Sequence, residues 1–254
     1  MCLILFAYRY HPGYKLILAA NRDEYYNRPT ESAQWWKDAP ALLAGKDLKA
    51  GGTWMGITKN GKVAALTNYR GPGSRDPDAP SRGKLVSDYL LSTSPADEYL
   101  ETLRRNAALY NGFNLIVGDM DNLFHYSNKE GIKEISPLGP GLYGLSNAVL
   151  DTPWPKVVKG KQMLEQQVLN KTEISSGTIF SILGDTRRAP FEQLPDTGVG
   201  RAIEKILSPI FIKAPDYGTR SSTVLLVDHE DNVTFMEKSV IPPADTEYRF
   251  KVFR

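Results

Sequence analysis

Two segments near the N-terminus, residues 2–9 and 15–20, are apolar on successive positions rather than alternate ones, with the turn residues His11-Pro12-Gly13-Tyr14 between them. β-rich runs around a Pro-Gly centre read as two antiparallel strands. Strands apolar on both faces cannot leave either face in water, so the sheet they join must be covered on both sides, as in a layered sandwich. Residues 53–58 and 63–69 repeat the pattern around Asn60-Gly61, the strongest short hairpin signal. A tight first hairpin sets Cys2 opposite Asp23 and Ile4 opposite Asn21, all on one face. Pro-Gly favours a type II turn, which suits tight hairpins poorly, so a bulge would slip this register by one and bring Arg22 or Glu24 to that place.

Further along, Gly71 to Gly83, with three prolines and three glycines, reads as a surface loop. Helical patterns follow at 82–93 and 96–110, strands at 113–118, 123–127 and 132–135, helices at 155–169, 175–183 and 199–212, the last with a break near Pro209, and strands at 219–228, 232–239 and 247–253. Strands at both ends enclosing helices predict an α+β fold with largely antiparallel sheets, not a βαβ series. No repeat or linker divides the chain, so residues 1–254 are expected to form one domain. Gly139-Pro140-Gly141-Leu142-Tyr143-Gly144 fits GxGxxG, but its proline and the lack of a strand–helix context make it a loop rather than a dinucleotide site.

Lysine and arginine (31) nearly balance aspartate and glutamate (29), which points away from nucleic acid and from a polybasic membrane surface. The opening apolar run has no basic n-region and is broken at Arg9-Tyr10-His11-Pro12, so neither a signal peptide nor a membrane span fits, and a cytoplasmic location is expected. One cysteine excludes an internal disulfide, and His11, His125 and His229 show no metal-ligand spacing. No metal or resident cofactor is predicted.

That single cysteine is Cys2. Exposed at the N-terminus by removal of Met1, it would carry a thiol and an α-amine on one residue, with ordinary pKa values of about 8.5 and about 8. Such an amine can take the thiol proton directly or through one water. Ala20-Asn21-Arg22-Asp23-Glu24, a polar run ending an apolar strand, supplies a carboxylate that could fix the ammonium.

Asn21-Arg22-Asp23-Glu24, continued by Tyr25-Tyr26-Asn27-Arg28-Pro29, joins several other marked segments. These are Met1-Cys2, Gly51-Gly52-Thr53-Trp54-Met55-Gly56, Thr67-Asn68-Tyr69-Arg70, Gly144-Leu145-Ser146-Asn147 and Tyr217-Gly218-Thr219-Arg220-Ser221-Ser222-Thr223. Together they closely resemble the NRDE-motif family, also called the transport and Golgi organisation 2 family. The resemblance implies an N-terminal-nucleophile (Ntn) hydrolase-like four-layer α-β-β-α sandwich of two largely antiparallel sheets. It also implies a likeness to cysteine Ntn amidases such as bile salt hydrolases and penicillin V acylases.

Carried over on that resemblance, Cys2 is the nucleophile and Asp23 the carboxylate that holds its amine. Asn68 and Asn147 are oxyanion-hole or amine-orienting amides, and Arg220 is the guanidinium beside the thiol. Asn21, Arg22, Trp54 and Tyr69 are the expected substrate-binding residues. In those amidases an arginine usually precedes the aspartate by three residues, where this chain has Ala20; its Arg22 would face the other side of the strand from Asp23. Two functions follow. One is acyl transfer from a linear amide or thioester to Cys2, then hydrolysis. The other is non-catalytic carriage of haem or an acyl lipid, with Cys2 or His125 as an iron ligand. The oligomeric state is left open.

Overall fold

The computed structural model describes residues 3–71, 76–129 and 134–253. In chain order the first strands are β1 (Leu3–His11), β2 (Tyr14–Tyr25), β3 (Thr30–Trp36), β4 (Ala39–Asp47), β5 (Met55–Thr58) and β6 (Val63–Asn68). Helices α1 (Gly83–Leu91) and α2 (Ala96–Asn106) lead to β7 (Phe113–Gly118), β8 (Leu123–Ser127), β9 (Ser136–Pro137) and β10 (Gly141–Leu145). Then come α3 (Pro155–Leu164), extended by a π-turn Glu165–Leu169, α4 (Ser176–Leu183), α5 (Arg201–Leu207), β11 (Tyr217–Asp228), β12 (Asn232–Val240) and β13 (Pro243–Lys251).

The strands form two sheets, ordered β10-β1-β2-β11-β12-β13 and β3-β4-β5-β6-β7-β8-β9, and every named pairing is antiparallel. Period two divides each strand between layers. On β1 and β2, Ile4, Phe6, Tyr8, Leu16 and Leu18 meet Leu43, Ile57 and Ile116 of the other sheet. Leu3, Leu5, Ile17 and Ala19 point the other way, onto Val157 and Leu164 of α3 and Ile179, Ile182 and Leu183 of α4. The second sheet turns Leu42, Leu66 and Leu115 toward Leu85 and Tyr89 of α1 and Leu100 of α2. The architecture is the four-layer α-β-β-α sandwich, and the both-sides cover expected of residues 2–9 and 15–20 is present along β1 and β2.

The outer helices carry their own signals. In α4, Ser175 caps the Thr178 N–H, buried Ile179, Ile182 and Leu183 recur at helical spacing, and Gly184 follows the last turn. Pro155 opens α3 at the first-turn position that tolerates it. Gly160 lets this helix lie close on β1, since a Cβ there would sit 2.6 Å from Leu5 Cδ1.

The first hairpin departs from its expected register. His11 pairs with Tyr14 as a symmetric turn requires, but a bulge between Tyr8 and His11, with Arg9 at φ 47°, inserts one residue into β1. Beyond it Tyr8 pairs with Leu16, Ile4 with Ala20 and Leu3 with Asn21. Ile4 and Asn21 therefore are not opposed and lie on different faces. The expected opposition of Cys2 and Asp23 involves residue 2, outside the described residues.

Other differences have local causes. β3 and β4 were not legible because register shifts near Glu31–Gln34 and Trp35–Trp36 break the two-residue period. Gly141–Leu145, expected in a loop, is the edge strand β10, hydrogen-bonded along β1. The helix expected over 199–212 is confined to Arg201–Leu207. The strand expected at 132–135 lies partly outside the described residues, and its neighbour β9 spans Ser136–Pro137. Among the described residues no helix is long and apolar enough to cross a membrane.

Candidate active site

The start of β1 is where the marked segments converge. On one side β2 runs past the pair Leu3–Asn21 into Arg22 and Asp23. On the other, β10 pairs Leu145 with Ile4 and leads into Ser146 and Asn147. β11, beyond β2, pairs Thr219 with Asp23 and Ser222 with Asn21. Residue 2 precedes this junction and lies outside the described residues.

Asp23 is 3% exposed. Its Oδ1 accepts a 2.6 Å hydrogen bond from Thr219 Oγ1, and the same hydroxyl accepts from Ile212 N–H at 2.9 Å. Asp23 Oδ2 is buried with no hydrogen-bond partner among the described residues. A carboxylate oxygen left so is costly unless a donor reaches it, and a cation is the donor that compensates best. Asn21, on the same face, is fully engaged: its Nδ2 donates to Leu183 O and Ile210 O, and its Oδ1 accepts from Ser222 Oγ. That amide anchors β2 to the end of α4 and to the segment that follows α5.

Arg22 points to the opposite face from Asp23, as strand alternation requires. Its guanidinium lies 4.1 Å from the Trp54 ring centroid and donates to Thr30 Oγ1 between the two sheets. Burial lowers its pKa to about 10. Trp54, 6% exposed, is part of the inter-sheet core. Nearby on β12, Glu237 is 2% exposed and accepts from Ala33 N–H and Thr223 Oγ1. Burial raises its pKa, against the lowering effect of those hydrogen bonds and of Arg22. Arg220 occupies a bulge in β11 between Thr219 and Ser221. It donates to Tyr25 O, Arg28 O and Ile241 O, tying the β2–β3 loop to the β12–β13 turn.

The structure brings Asn68 and Asn147 together. Asn147 Nδ2 donates to Asn68 O at 2.8 Å, and Arg70 N–H returns a bond to Asn147 O at 2.6 Å. Asn114 of β7 holds the next residue through Ala148 O. Asn147, 4% exposed, is thus fixed across both sheets, since β6 and β7 belong to one and β10 to the other. Tyr69, half-buried, donates its N–H to Gly112 O and carries Lys129 over its ring.

Three groups at this junction had no assigned role. Arg70 lies 5.0 Å from the Trp154 ring centroid and pairs with Glu204, whose carboxylate is 2% exposed. Arg70 and Thr219 lie inside segments the sequence singled out. Glu204 carries no sequence signal, because a glutamate on a short helix is ordinarily solvated.

His125 faces the inter-sheet side of β8 beside Ile116, 4% exposed, with a buried Nε2 that has no partner among the described residues. Burial lowers its pKa to about 4, so it is neutral at pH 7. Among the described residues no cluster of three or more His, Cys, Asp or Glu is placed to hold a metal ion.

This two-sheet sandwich resembles the fold of Ntn hydrolases of known structure. Penicillin V acylase from Agrobacterium tumefaciens superposes with TM-score 0.56 at 12% identity, over 98% of this chain and 86% of that one. The Caenorhabditis elegans orthologue of N-acylethanolamine-hydrolyzing acid amidase superposes with TM-score 0.54 at 12% identity, over 89% and 92%. The C2A mutant of conjugated bile acid hydrolase from Clostridium perfringens gives 0.54 at 11% identity, over 99% and 92%. At such identities the likeness is one of fold. The sequence profile of the Transport and Golgi organisation 2 family matches residues 1–242, and the chain belongs to that family. It is 40% identical to the Transport and Golgi organization 2 homolog of Mus musculus over 260 residues, covering 95% of this chain and 94% of that one. It is also 33% identical to the Drosophila melanogaster protein over 271 residues, covering 94% and 92%.

Proposed function

We propose that this protein is a cysteine Ntn hydrolase acting on a linear amide or thioester. The observation that carries the reading is Asp23 Oδ2, a buried carboxylate oxygen without a partner among the described residues, at the junction where β1 begins. The terminal ammonium of Cys2, freed by loss of Met1, is the cation proposed to meet it. In its neutral form this amine takes the thiol proton, becoming the ammonium beside Asp23, and Sγ attacks the acyl carbonyl. Asn147, with Asn68 beside it, stabilises the oxyanion; one preorganised donor of this kind contributes about 2.7–4 kcal/mol. The C–N or C–S bond breaks as the ammonium returns that proton to the leaving group and becomes the neutral amine again. Water then attacks the Cys2 thioester, giving the free acid and restoring the thiol.

The residues carried over as substrate-binding divide in this reading. Tyr69, half-buried beside Asn68, borders the acyl site. Asn21, Arg22 and Trp54 act as its frame, and Arg220 acts on the thiol's surroundings only through the loop carbonyls it holds. Carriage of haem is less well supported, because the His125 imidazole is 4% exposed between the sheets. The test is peptide-level mass spectrometry after incubation with N-acyl amides and acyl thioesters. An acyl adduct on an N-terminal Cys2 peptide, absent in Cys2→Ala, is expected. Retained Met1, or no adduct with any acyl donor, overturns the assignment. A Soret band on haem titration, abolished in His125→Ala, would establish the carrier function instead.

A further inference from the structure

We infer that Glu204 is a positioning residue for the oxyanion amide, acting through Arg70 on Asn147. The inference rests on the acyl-transfer reading above. Glu204 is the buried residue of a short helix otherwise exposed or half-buried, and burying a carboxylate is unfavourable unless it is paired and hydrogen-bonded. Each of its oxygens is engaged. Oε2 lies 2.7 Å from Arg70 Nη2, and Oε1 accepts from the Thr197 N–H and hydroxyl.

The effect of that pair reaches the site through the backbone. Arg70 is two residues beyond Asn68, and its N–H bonds Asn147 O while Asn147 Nδ2 bonds Asn68 O. The two asparagines are therefore closed into a ring of backbone and side-chain bonds, and Arg70 is the member of that ring with a long side chain. Glu204 pins its guanidinium from one direction and the Trp154 ring lies against it from another. With the guanidinium held, the Arg70 backbone has little freedom to rotate, and Asn147 keeps a fixed aim. Arg70 Nε has no acceptor, so among the described residues the Glu204 carboxylate is the only hydrogen-bonding anchor of this guanidinium. Loss of the charge on Glu204 releases Arg70 without touching thiol, amine or Asp23.

Two probes separate positioning from general damage. An alkyl β-lactone acylates a nucleophile through a tetrahedral oxyanion: Sγ–C forms, the ring C–O bond breaks, and the alkoxide takes the thiol proton. Iodoacetamide alkylates the same thiol by displacing iodide and needs no oxyanion hole. In Glu204→Gln the β-lactone rate at Cys2 is expected to fall by about tenfold or more, and the iodoacetamide rate to stay within about twofold, the same split as in Asn147→Ala. Arg70→Lys, which keeps the cation and the backbone bond but loses the planar fork, gives the split if Glu204→Gln does not fold. Glu204→Asp should recover part of the lost rate. Equal loss with both probes, or no loss with either, overturns the inference. A wild-type protein alkylated by iodoacetamide but inert to β-lactone is a different pattern: it refutes the acyl-transfer reading and this inference with it.

Discussion

Thr219 and Asp23 share a 2.6 Å hydrogen bond between neighbouring strands, and it accounts for only one of the two carboxylate oxygens. The hydroxyl fixes the carboxylate plane, and the other oxygen stays buried and open to one more donor. Asp23→Asn keeps the shape and removes the charge that would hold an ammonium. Acylation of Cys2 is expected to fall about 100-fold or more while the protein still melts cooperatively. Thr219→Val acts differently. It orphans Asp23 Oδ1 and the Ile212 N–H together, each at a cost of about 1–3 kcal/mol, so chemical denaturation should register a lower midpoint.

His125 makes the fold acid-sensitive in a defined window. Its folded-state pKa of about 4 lies below the ordinary 6.5, so the unfolded chain binds the proton first as pH falls. Its contribution is complete above the unfolded value and declines as pH drops toward the folded one. The shift corresponds to about 3 kcal/mol. His125→Phe removes the orphaned Nε2 and should flatten the stability profile across that interval. An unchanged slope in denaturation series from pH 7 to about 4 would contradict it.

Glu237 works with the opposite sign. Burial raises its pKa, so the folded protein keeps a proton that the unfolded chain releases. Stability from this group is full below the unfolded value and is lost as pH rises toward the raised one. Glu237→Gln retains an acceptor for the Ala33 N–H and carries no charge. The variant should gain on the parent as pH rises through that window, read as a widening gap between denaturation midpoints. A gap independent of pH would remove Glu237 from the titration.

Gly52 fixes the approach of α1 to the segment entering β5. A Cβ at this position would lie 2.5 Å from Gly83 C and 2.6 Å from Gly83 O, backbone atoms that cannot move aside singly. Gly52→Ala should cost about 1–3 kcal/mol by overpacking. Gly51→Ala meets no neighbouring atom within 4 Å, but Gly51 has φ 73°, so its cost is backbone strain alone. The two substitutions in a melting experiment separate contact from conformation.

The strands that build the frame were readable where their period was unbroken. β1, β2, β6 and β7 are apolar on both faces because one face meets the opposite sheet and the other meets helices, and a continuous run reports that directly. Glu237 was not singled out in the sequence, although Val233, Phe235 and Glu237 lie on one buried alternation of β12. β3 and β4 were hidden by bulges, and the hairpin register depended on a bulge at Arg9 that only the folded twist of β1 decides. The polar run Thr219–Thr223 is buried throughout, and the hydroxyls of Thr219, Ser222 and Thr223 meet Asp23, Asn21 and Glu237, partners about 200 residues away or on the next strand. Asn68 and Asn147 were found by resemblance, whereas Glu204, which is paired with Arg70, follows from no local pattern.

The proposed mechanism turns on one contact, between the Cys2 ammonium and Asp23 Oδ2. A crystal structure of the native protein trapped with an alkyl β-lactone tests it at the atoms concerned. The expected result is a chain beginning at Cys2, with its nitrogen within about 3.2 Å of Asp23 Oδ2 and an acyl group on Sγ. A retained Met1, or an Asp23 carboxylate bonded to some other donor while the N-terminus lies elsewhere, would contradict it.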